Sequence, residues 1–539
     1  MHRTLLKEEF RPIVHLRDQV EKRRFGLILG AGTVRDFNVP MWSKLIENIA
    51  ADRSINGTKI LEGEGKDRTL PYKTQMLYQR FRKRVLEKLD PNTSDMWRDG
   101  VVKAKWSELC ARHIYANAPS DLGKALSAHK YFSALLPLIQ KSPLTVTFNF
   151  DDFLERSLAL NKKPNDKISR GYEVVTDPWP QFRRADSVIY HPHGIVPAQA
   201  RLMELPVDRF VFSEAAYSAQ YVGSRGHDSS FLLAHFARNT CLIIGSALEE
   251  ELRNVLMRGA QINPGNYHYY VHFINDDTSG PTDEEKWLMS ETNFNVYNLI
   301  TLFLTREKIR ALLELLDADT IGGDLFHDMA EQANVPLKYN FYLTGAIGVG
   351  KSTTANQLRN LHVLDEWLEV RPQVLAKRWS DLTQTERDEA DRWIVGQFAA
   401  KNNSLRHLKA GISIIDRPPL DPLSFTKKQK WATKATALLD AVCPDRKLKF
   451  EPGTVILFIG DPEIMEARVR ATGRETYTRK DLNNMQETLK GLYEDKSLRI
   501  IDTRNLSIQE VTKEVAEIVH RAPYKTFDVH GALLRFANV

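Results

Sequence analysis

Cysteine is scarce in this chain of 539 residues. Its three cysteines, Cys110, Cys241 and Cys443, lie far apart, and no CxxC pair is present. A structural zinc ribbon and a disulfide framework both need such pairs, so we expect neither. Apolar runs of about 18 residues, the length of a membrane-spanning helix, are also missing. The first residues are charged and contain no apolar signal core. These absences predict a cytoplasmic protein without a membrane partner.

A strong charge of one sign is missing as well. Lys and Arg number 75 against 69 Asp and Glu, which leaves a net charge of +6. This small excess fits anionic small ligands such as nucleotides, and we expect no nucleic-acid partner. The chain is too long to fold around one ordinary hydrophobic core, so two domains are expected.

Short apolar strands alternate with helical stretches along the chain, a pattern that predicts parallel sheets covered by helices on both faces. The acidic, Gly-containing residues 317–338 indicate a linker. We therefore predict an α/β protein with two three-layer parallel-sheet domains, at residues 1–316 and 339–539. The first contains a helical insert over about 41–140. The strands predicted in the first domain are Phe25–Leu29, Leu144–Phe148, Ser187–Tyr190, Thr240–Ile244 and Tyr267–Phe273.

A phosphate-binding motif opens the second domain. The sequence GAIGVGKST, residues 345–353, follows the apolar strand Asn340–Thr344 and precedes a helical stretch. This is GxxxxGK[ST] in its strand–loop–helix setting, where backbone N–H groups surround a phosphate. Lys351 would reach the β- and γ-phosphates, and the Ser352 hydroxyl would ligate Mg²⁺. We predict a site for ATP or another nucleoside triphosphate, formed here by Gly345, Gly348, Gly350, Lys351, Ser352 and Thr353.

Charged residues beyond this motif extend the predicted nucleotide site. Asp416 and Arg417 follow the next apolar strand, where an acid can hold Mg²⁺ or an acceptor hydroxyl, so Ser352 and Asp416 are the predicted metal ligands. A helix N-cap is the open alternative for Asp416. Arg468 and Arg474 would neutralise a transferring phosphoryl group, or they form a solvated basic helix face.

Residues of about 340–520 resemble the thymidylate kinase and deoxynucleoside kinase group in the phosphate loop, the Asp-Arg pair and the lid-like arginines. The resemblance implies that Glu366 lies near the acceptor and that Gln397 reads the base. The run Pro418–Pro422 departs from the family, so nucleotide binding is a safer expectation than kinase activity.

Four short motifs occur in order in the first domain: GAGT at 30–33, TFNFDD at 147–152, HPHG at 191–194 and GSALEE at 245–250. Each follows an apolar strand, so all four would meet at one edge of a parallel sheet. An enzyme that cleaves a glycosidic bond through an oxocarbenium-like cation must accept a proton near neutral pH. A histidine is suited to that proton transfer. An amide can donate to one oxygen and accept from another.

Residues of about 20–316 resemble the sirtuin-like fold, in particular the branch of bacterial antiviral NAD hydrolases. The resemblance implies that Asn149 holds the ribose and the attacking water and that His193 is the general base. Asp151 stabilises the local charge or caps the next helix, His193 could instead be structural, and His191 is interpreted as a bystander. The NAD-binding residues implied are Gly30, Ala31, Gly32, Thr33, Asp151, Gly245, Ser246 and Glu250.

Together the motifs predict an NAD glycohydrolase that acts in antiviral defence and is gated by a nucleotide-binding sensor domain. The resemblance also implies a homo-oligomer and a viral trigger. A protein deacylase is disfavoured because three scattered cysteines cannot form the four-cysteine zinc module of that class. Two alternatives stay open: a nucleoside or nucleotide kinase with an NAD- or ADP-ribose-binding regulatory domain, and a non-catalytic scaffold.

Overall fold

The computed structural model describes residues 1–63, 65–160, 171–176, 186–198, 212–215, 227–275, 280–376, 381–442, 448–471 and 477–537. The chain divides into two compact units, each assembled from separate stretches of sequence. The first unit comprises Met1–Leu5, Gln19–Gly259 and His268–Gly323, and the second comprises Leu6–Asp18, Ala260–Tyr267 and Asp324–Val539. The domain boundaries at residues 316 and 338 stay a prediction.

The first unit is built on a parallel sheet with the strand order β3-β4-β2-β1-β5-β6-β7 in its described part. The central strand β1 pairs with β2 on one side and β5 on the other, and all three are buried along their length. Burial on both faces requires the continuous apolar runs seen in the sequence. The strands are β1 Phe25–Leu29, β2 Leu144–Thr147, β3 Tyr172–Val175, β4 Ser187–Tyr190, β5 Thr240–Ile244, β6 His268–Phe273 and β7 Leu299–Leu304.

Helices connect these strands, and the helices between β1 and β2 form the predicted insert. The insert has its own apolar core, in which Leu77, Phe81 and Trp106 are buried. The helix His2–Glu21 starts in the first unit and contributes Leu6–Asp18 to the second. The other helices are Trp42–Ala51, Thr58–Glu62, Leu70–Leu86, Asp95–Ile114, Leu122–Ala128, Lys130–Lys141, Phe153–Leu160, His227–Arg238, Glu250–Ile262, Asp283–Tyr297 and Arg306–Leu316, with a 3₁₀ helix at Ala31–Phe37.

The second unit has a parallel sheet with the order β12-β11-β8-β10-β9 among the described strands. The two sheets confirm the predicted α/β class. The strands are β8 Lys338–Gly345, β9 His362–Leu364, β10 Gly411–Asp416, β11 Thr454–Ile459 and β12 Arg499–Asp502. The helices are Gly323–Ala333, Lys351–Gln357, Gln384–His407, Asp421–Ser424, Trp431–Val442, Pro462–Ala471, Arg479–Leu492, Ile508–His520 and Val529–Ala537, with 3₁₀ helices at Gln373–Ala376 and Lys428–Lys430. None of the helices described is long and apolar enough to cross a membrane.

The segment 317–338, interpreted from the sequence as a linker, contains the helix Gly323–Ala333. Phe326, Ala330 and Ala333 are buried on one face of this helix, at a spacing of four and then three residues. The Phe326 ring stacks on Phe10 of the same unit, with ring centroids 6.2 Å apart. The acidic, Gly-containing composition did not indicate this amphipathic helix, because only a few apolar residues form its buried face.

Candidate functional site

The loops after β1 and β5 cross with their backbones in contact. Gly30 N donates to Ile244 O at 2.9 Å, and Gly32 N donates to Gly245 O at 2.8 Å. A Cβ atom at Gly30 would lie 2.5 Å from Gly245 O and from Ser246 Cα, so only glycine fits there. The structure therefore brings the predicted turn from Gly30 to Thr33 beside Gly245 and Ser246, at the carboxyl ends of neighbouring strands, where parallel sheets bind ligands.

Asn149 follows β2, on the other side of β1. Its Nδ2 donates to Thr33 Oγ1 at 3.3 Å, and that hydroxyl donates to Gly30 O at 2.7 Å. The Asn149 side chain is buried, and its Oδ1 has no hydrogen-bond partner among the described residues. A buried acceptor left unpaired costs about 1–3 kcal/mol. A hydroxyl group of a ligand would satisfy this oxygen.

His193 follows β4 and packs against the two neighbours of Asn149 in sequence. The His193 ring centroid lies 5.2 Å from that of Phe148 and 6.2 Å from that of Phe150. Its Nε2 lies 3.1 Å from Glu251 Oε2. Only 8% of His193 is exposed. The structure therefore gathers the two predicted catalytic residues around one aromatic pair and adds a carboxylate to the histidine.

His191 supports the backbone of Asn149. It is fully buried, with Nδ1 3.1 Å from Asn149 O and Nε2 2.8 Å from Glu155 Oε1. Burial lowers the pKa of His191, but the Glu155 carboxylate raises it, and the net pKa lies above its usual value. His191 is thus a structural residue that pairs with Glu155, and the sequence, which indicated only a bystander to the chemistry, gave no sign of this pair.

Asp151 caps the helix Phe153–Leu160. Its Oδ1 accepts a hydrogen bond from Phe153 N at 3.1 Å. Burial raises the pKa of Asp151 to about 7. The capping interpretation accounts for this side chain, and the predicted contact with NAD stays a prediction.

The acidic residues that follow Ser246 face three different ways. Ser246 Oγ donates to Glu249 Oε2 at 2.7 Å and accepts from Leu248 N at 2.9 Å, so the hydroxyl is bonded within its own loop. Glu250 is exposed at the first residue of the helix Glu250–Ile262. The next residue, Glu251, reaches His193. The sequence singled out Glu250, whereas its neighbour Glu251 contacts His193, and the contact of Glu250 with NAD stays a prediction.

The loop after β8 has the geometry of a phosphate cradle. Gly345, Gly348 and Gly350 have φ angles of 147°, 82° and 111°, and side chains rarely adopt such conformations. Lys351 Nζ donates to Gly345 O at 2.8 Å and to Ala346 O at 3.1 Å. Burial, and then the Arg417 cation, lower the pKa of Lys351 to about 8. Thr353 is exposed one residue beyond Ser352, at the start of the helix.

Ser352 and Asp416 meet as predicted for a metal site. Ser352 Oγ donates to Asp416 Oδ2 at 2.7 Å, while the buried Asp416 Oδ1 has no partner in the described part of the chain. Hydroxyl and carboxylate oxygens are ligands that Mg²⁺ prefers. No group of three or more His, Cys, Asp or Glu side chains in the described ranges could hold a metal ion. These two residues therefore fit a Mg²⁺ that takes its other ligands from phosphates and water.

Arg417 and Glu366 form a charge pair beside the phosphate loop. Arg417 Nε donates to Glu366 Oε1 at 2.8 Å, and its Nη1 lies 3.6 Å from Asp421 Oδ2. Burial raises the pKa of Glu366, but the Arg417 cation beside it lowers the pKa, and the net pKa lies below its usual value. Glu366 and Arg417 line one cleft with the residues from Gly348 to Thr353, with a cavity volume of about 390 Å³.

Arg468 lies over the loop, because its Nη1 donates to Gly348 O at 3.2 Å, although the side chain is exposed. Arg474 lies outside the described residues. Gln397 is buried, with Oε1 accepting from Leu368 N at 2.9 Å and Nε2 donating to Glu369 Oε2 at 3.0 Å. The Gln397 amide is thus bonded within its own unit on both atoms, which does not favour the role of base reader.

With this geometry in place, comparisons with known proteins identify part of the chain. Residues 143–297 match the family model of the SIR2-like domain. The match includes Asn149, His193 and Glu251 and begins after the turn at 30–33. A search of curated proteins finds no match to the chain.

Among solved structures, the chain is similar to a deoxyadenosine kinase from M. mycoides with the products dCMP and dCDP bound. The two are 16% identical, with a TM-score of 0.25 over 33% of this chain and 95% of the kinase. A gluconokinase from Sinorhizobium meliloti 1021 is 14% identical, with a TM-score of 0.21 over 38% of this chain and 95% of its own. A NadR protein in complex with NAD and AMP-PNP is 9% identical, with a TM-score of 0.26 over 66% and 97%. Likeness at these TM-scores carries no inference about substrates.

Besides Glu251, two side chains near the candidate sites, Lys401 and Tyr115, were missed from the sequence. Lys401 Nζ donates to Asp416 O at 2.6 Å, and burial lowers the pKa of Lys401 to about 8. Its spacing of four residues from Gln397 places both on one face of the helix Gln384–His407, which was a usable signal. Tyr115 OH donates to Asp152 Oδ1 at 2.9 Å and to Val196 O at 2.7 Å, and no local pattern indicated these contacts.

Proposed function

We propose that the first unit is an NAD glycohydrolase that converts NAD into ADP-ribose and nicotinamide. The observation that carries this proposal is the buried Asn149 amide, whose Nδ2 is held by Thr33 and whose Oδ1 lacks a partner within the described residues. An acceptor in this position, beside the Gly30 turn and next to the aromatic pair that holds His193, suits a ribose hydroxyl.

In the proposed reaction, the bond between C1′ of the ribose and the nicotinamide nitrogen breaks, and its electron pair leaves with nicotinamide. Water adds its oxygen to C1′, and the proton that water loses passes to His193. A histidine can take this proton near neutral pH. Asn149 holds the ribose through Oδ1 while the Thr33 contact fixes the direction of the amide.

The test is product formation by the purified full chain incubated with NAD. Wild type should release nicotinamide and ADP-ribose in equal amounts, and His193→Ala and Asn149→Ala should each be at least about 100-fold slower. His407→Ala is the matched control, because His407 is exposed and bonds to Asn403 O of its own helix. Cleavage by His193→Ala at the wild-type rate would reject the proposal, as would the absence of cleavage by wild type with every nucleotide tried.

We further propose that the second unit binds a nucleoside triphosphate with Mg²⁺ and gates NAD cleavage. Three features support binding: the glycine conformations of the loop, the Lys351 ammonium beneath it and the Ser352–Asp416 pair. A link to the first unit is present in the chain itself. The helix Glu250–Ile262 carries Glu251 in its first turn, and its residues from Ala260 belong to the second unit.

Gating predicts that the NAD cleavage rate changes with added nucleotide and that Lys351→Ala abolishes this response. The rate should be measured across ribo- and deoxyribonucleoside triphosphates for wild type, Lys351→Ala and the exposed control Lys409→Ala. Loss of a buried cation that contacts phosphate should weaken nucleotide binding about 10- to 100-fold. If Lys351→Ala responds as wild type does, gating by this site is rejected while the hydrolase proposal stands.

The resemblance to bacterial antiviral NAD hydrolases extends the proposal to the cell. There the protein would act in the cytoplasm as a homo-oligomer that depletes NAD when a virus provides the trigger. Cells producing wild type should lose NAD and yield fewer phage after infection, whereas cells producing His193→Ala should do neither. Light scattering on the purified protein measures the oligomeric state.

The second candidate function is a nucleoside or nucleotide kinase whose first unit binds NAD or ADP-ribose as a regulator. The observation that favours it is the ionised Glu366, which Arg417 holds in the same cleft as the phosphate loop. A carboxylate there suits the acceptor hydroxyl of a phosphoryl transfer. Transfer from ATP to thymidine, thymidylate or another nucleoside, lost in Glu366→Gln, would support this function.

A further inference from the structure

Three consecutive acidic residues occur where the loop after β5 leads into the helix Glu250–Ile262. Of these three, only Glu251 contacts His193. Glu249 is bonded to Ser246, and Glu250 is exposed. Glu251 Oε2 lies 3.1 Å from His193 Nε2. Glu251 is the second residue of the helix Glu250–Ile262, and the helix dipole favours a carboxylate in this first turn.

The contact between Glu251 and His193 is shielded from solvent. The two side chains are 11% and 10% exposed, so their attraction is screened less than that of a surface pair. The rings of Phe148 and Phe150 pack against the imidazole and limit its tilt. The carboxylate then fixes the remaining rotation of the ring, because it binds one particular nitrogen.

We propose that Glu251 is the positioning residue of His193: it accepts the Nε2 proton, sets the ring orientation and tautomer, and stabilises the imidazolium formed when His193 takes a proton. This inference rests on the proposed hydrolase function. An ionised carboxylate can only accept, so the neutral ring carries its proton on Nε2 and its lone pair on Nδ1. The positive charge of the imidazolium that forms when His193 takes the proton from water is balanced by Glu251.

Steady-state kinetics of Glu251→Ala, Glu251→Gln and Glu251→Asp test this role against Glu284→Ala, an exposed glutamate in the first turn of the helix Asp283–Tyr297. Loss of a residue that orients a functional histidine costs about 10- to 100-fold, so kcat of Glu251→Ala should fall by that factor while KM stays within about threefold. Glu251→Gln should lie between Glu251→Ala and wild type, because an amide accepts the proton but does not balance the charge. Glu251→Asp should recover part of kcat, and Glu284→Ala should stay within about twofold of wild type. A wild-type kcat in Glu251→Ala, or equal losses in Glu251→Ala and Glu284→Ala, would overturn the proposal.

A second readout keeps this proposal separate from the hydrolase proposal. Two-bond ¹H–¹⁵N spectra of protein with ¹⁵N-labelled histidine report the tautomer of each neutral ring, and the His193 signal is the one missing from His193→Ala. We expect the Nε2–H tautomer in wild type and in Glu284→Ala, and its partial loss in Glu251→Ala. That result supports the positioning role even if wild type cleaves no NAD. An unchanged tautomer in Glu251→Ala overturns it whether or not NAD is cleaved.

Discussion

The loop after β1 and the loop after β8 both start with glycine at the end of a central strand, yet they are held in different ways. A Cβ atom at Gly30 would meet the backbone of the β5 loop at 2.5 Å, whereas one at Gly350 would meet no described atom within 4 Å. The first loop, in which Gly30 has an ordinary φ angle of -108°, is fixed by this crowding. The second loop is also crowded at Gly345 and Gly348, where a Cβ atom would lie 2.7 Å from Phe458 O and 2.9 Å from Met465 O. It is fixed in addition by the positive φ angles of its glycines and by Lys351, which is bonded to two carbonyl groups of the loop.

The two sites also differ in where along the chain their functional groups come from. Around the first loop they are side chains from distant segments, Asn149, His193 and Glu251, and they depend on residues buried behind them. In the second, most groups lie within residues 345–353. A phosphate cradle needs backbone N–H groups and can be encoded in one contiguous stretch, whereas cleavage of a glycosidic bond needs several side chains that the fold must assemble.

The largest effect should come from His191, which stands behind Asn149. Removal of one partner from a buried ion pair costs about 3–5 kcal/mol, so His191→Ala should lower the free energy of unfolding by that amount and NAD cleavage with it. His193→Ala, which removes a less enclosed ring, should lose cleavage with a loss of stability below about 1.5 kcal/mol. Denaturant unfolding of both variants measures the contrast, and equal stability losses would contradict it.

The same variant has an expected pH dependence. The pKa of His191 is raised in the folded protein, so the folded state binds this proton more tightly than the unfolded state does. The stability gained from this proton is fully present below the ordinary pKa of 6.5 and is lost as the pH rises through the folded pKa. The stability difference between wild type and His191→Ala should therefore shrink with rising pH. A constant difference from pH 5 to pH 9 would show that charge plays no part.

A smaller effect is expected where an added methyl group tests the crowding of the first loop. Gly30→Ala places its Cβ against backbone atoms that cannot move aside, so it should cost about 1–3 kcal/mol and slow NAD cleavage at least about 10-fold. Gly350→Ala meets no such crowding, and its cost of about 1–2 kcal/mol arises from its φ angle of 111°. Thermal unfolding measures both.

Gly100→Ala is the matched control for these two variants. A Cβ atom there meets no described atom within 4 Å, and the residue lies inside the helix Asp95–Ile114 with an ordinary φ angle. Alanine is the better helix former, so this variant should gain up to about 1 kcal/mol. If Gly30→Ala instead unfolds at the same temperature as wild type, the crossing of the two loops is not as tight as described.

The parallel sheets were predictable because their inner strands are continuous apolar runs. The two strands missed in the first unit, β3 and β7, are its edges in the described sheet, and β3 is only half-buried along most of its length. An edge strand packs on fewer neighbours, so the sequence of β3 need not be as apolar, whereas β7 carries the apolar run LITLFL, which was a usable signal. The helix Gly323–Ala333 was missed for a related reason, since its buried face is narrow.

The phosphate loop was easier to predict than the first site, because its residues are contiguous in sequence whereas those of the first site come from separate segments. Residues 345–353 carry their geometry in their spacing, so the phosphate loop could be inferred without knowledge of any tertiary contact. The choice between Glu250 and Glu251 depends on how the first helical turn is rotated against His193, and three consecutive acids give no signal for it. The buried pair of His191 with Glu155 likewise depends on two segments that meet only in the fold.

The smallest expected effect belongs to Arg468, the one described side chain of the predicted arginine lid. Its hydrogen bond to Gly348 O joins the exposed side chain to a loop that already holds its own shape, so Arg468→Ala should weaken triphosphate binding only about 3- to 10-fold. Arg470→Ala is the matched control, because Arg470 lies on the same helix and pairs with Glu466. Calorimetric titration of both variants with ATP and Mg²⁺ measures the difference. A loss in Arg468→Ala as large as that in Lys351→Ala would show that triphosphate binding depends as strongly on an exposed side chain from a distant segment as on the lysine of the loop, and the contrast between the two loops would then be one of degree.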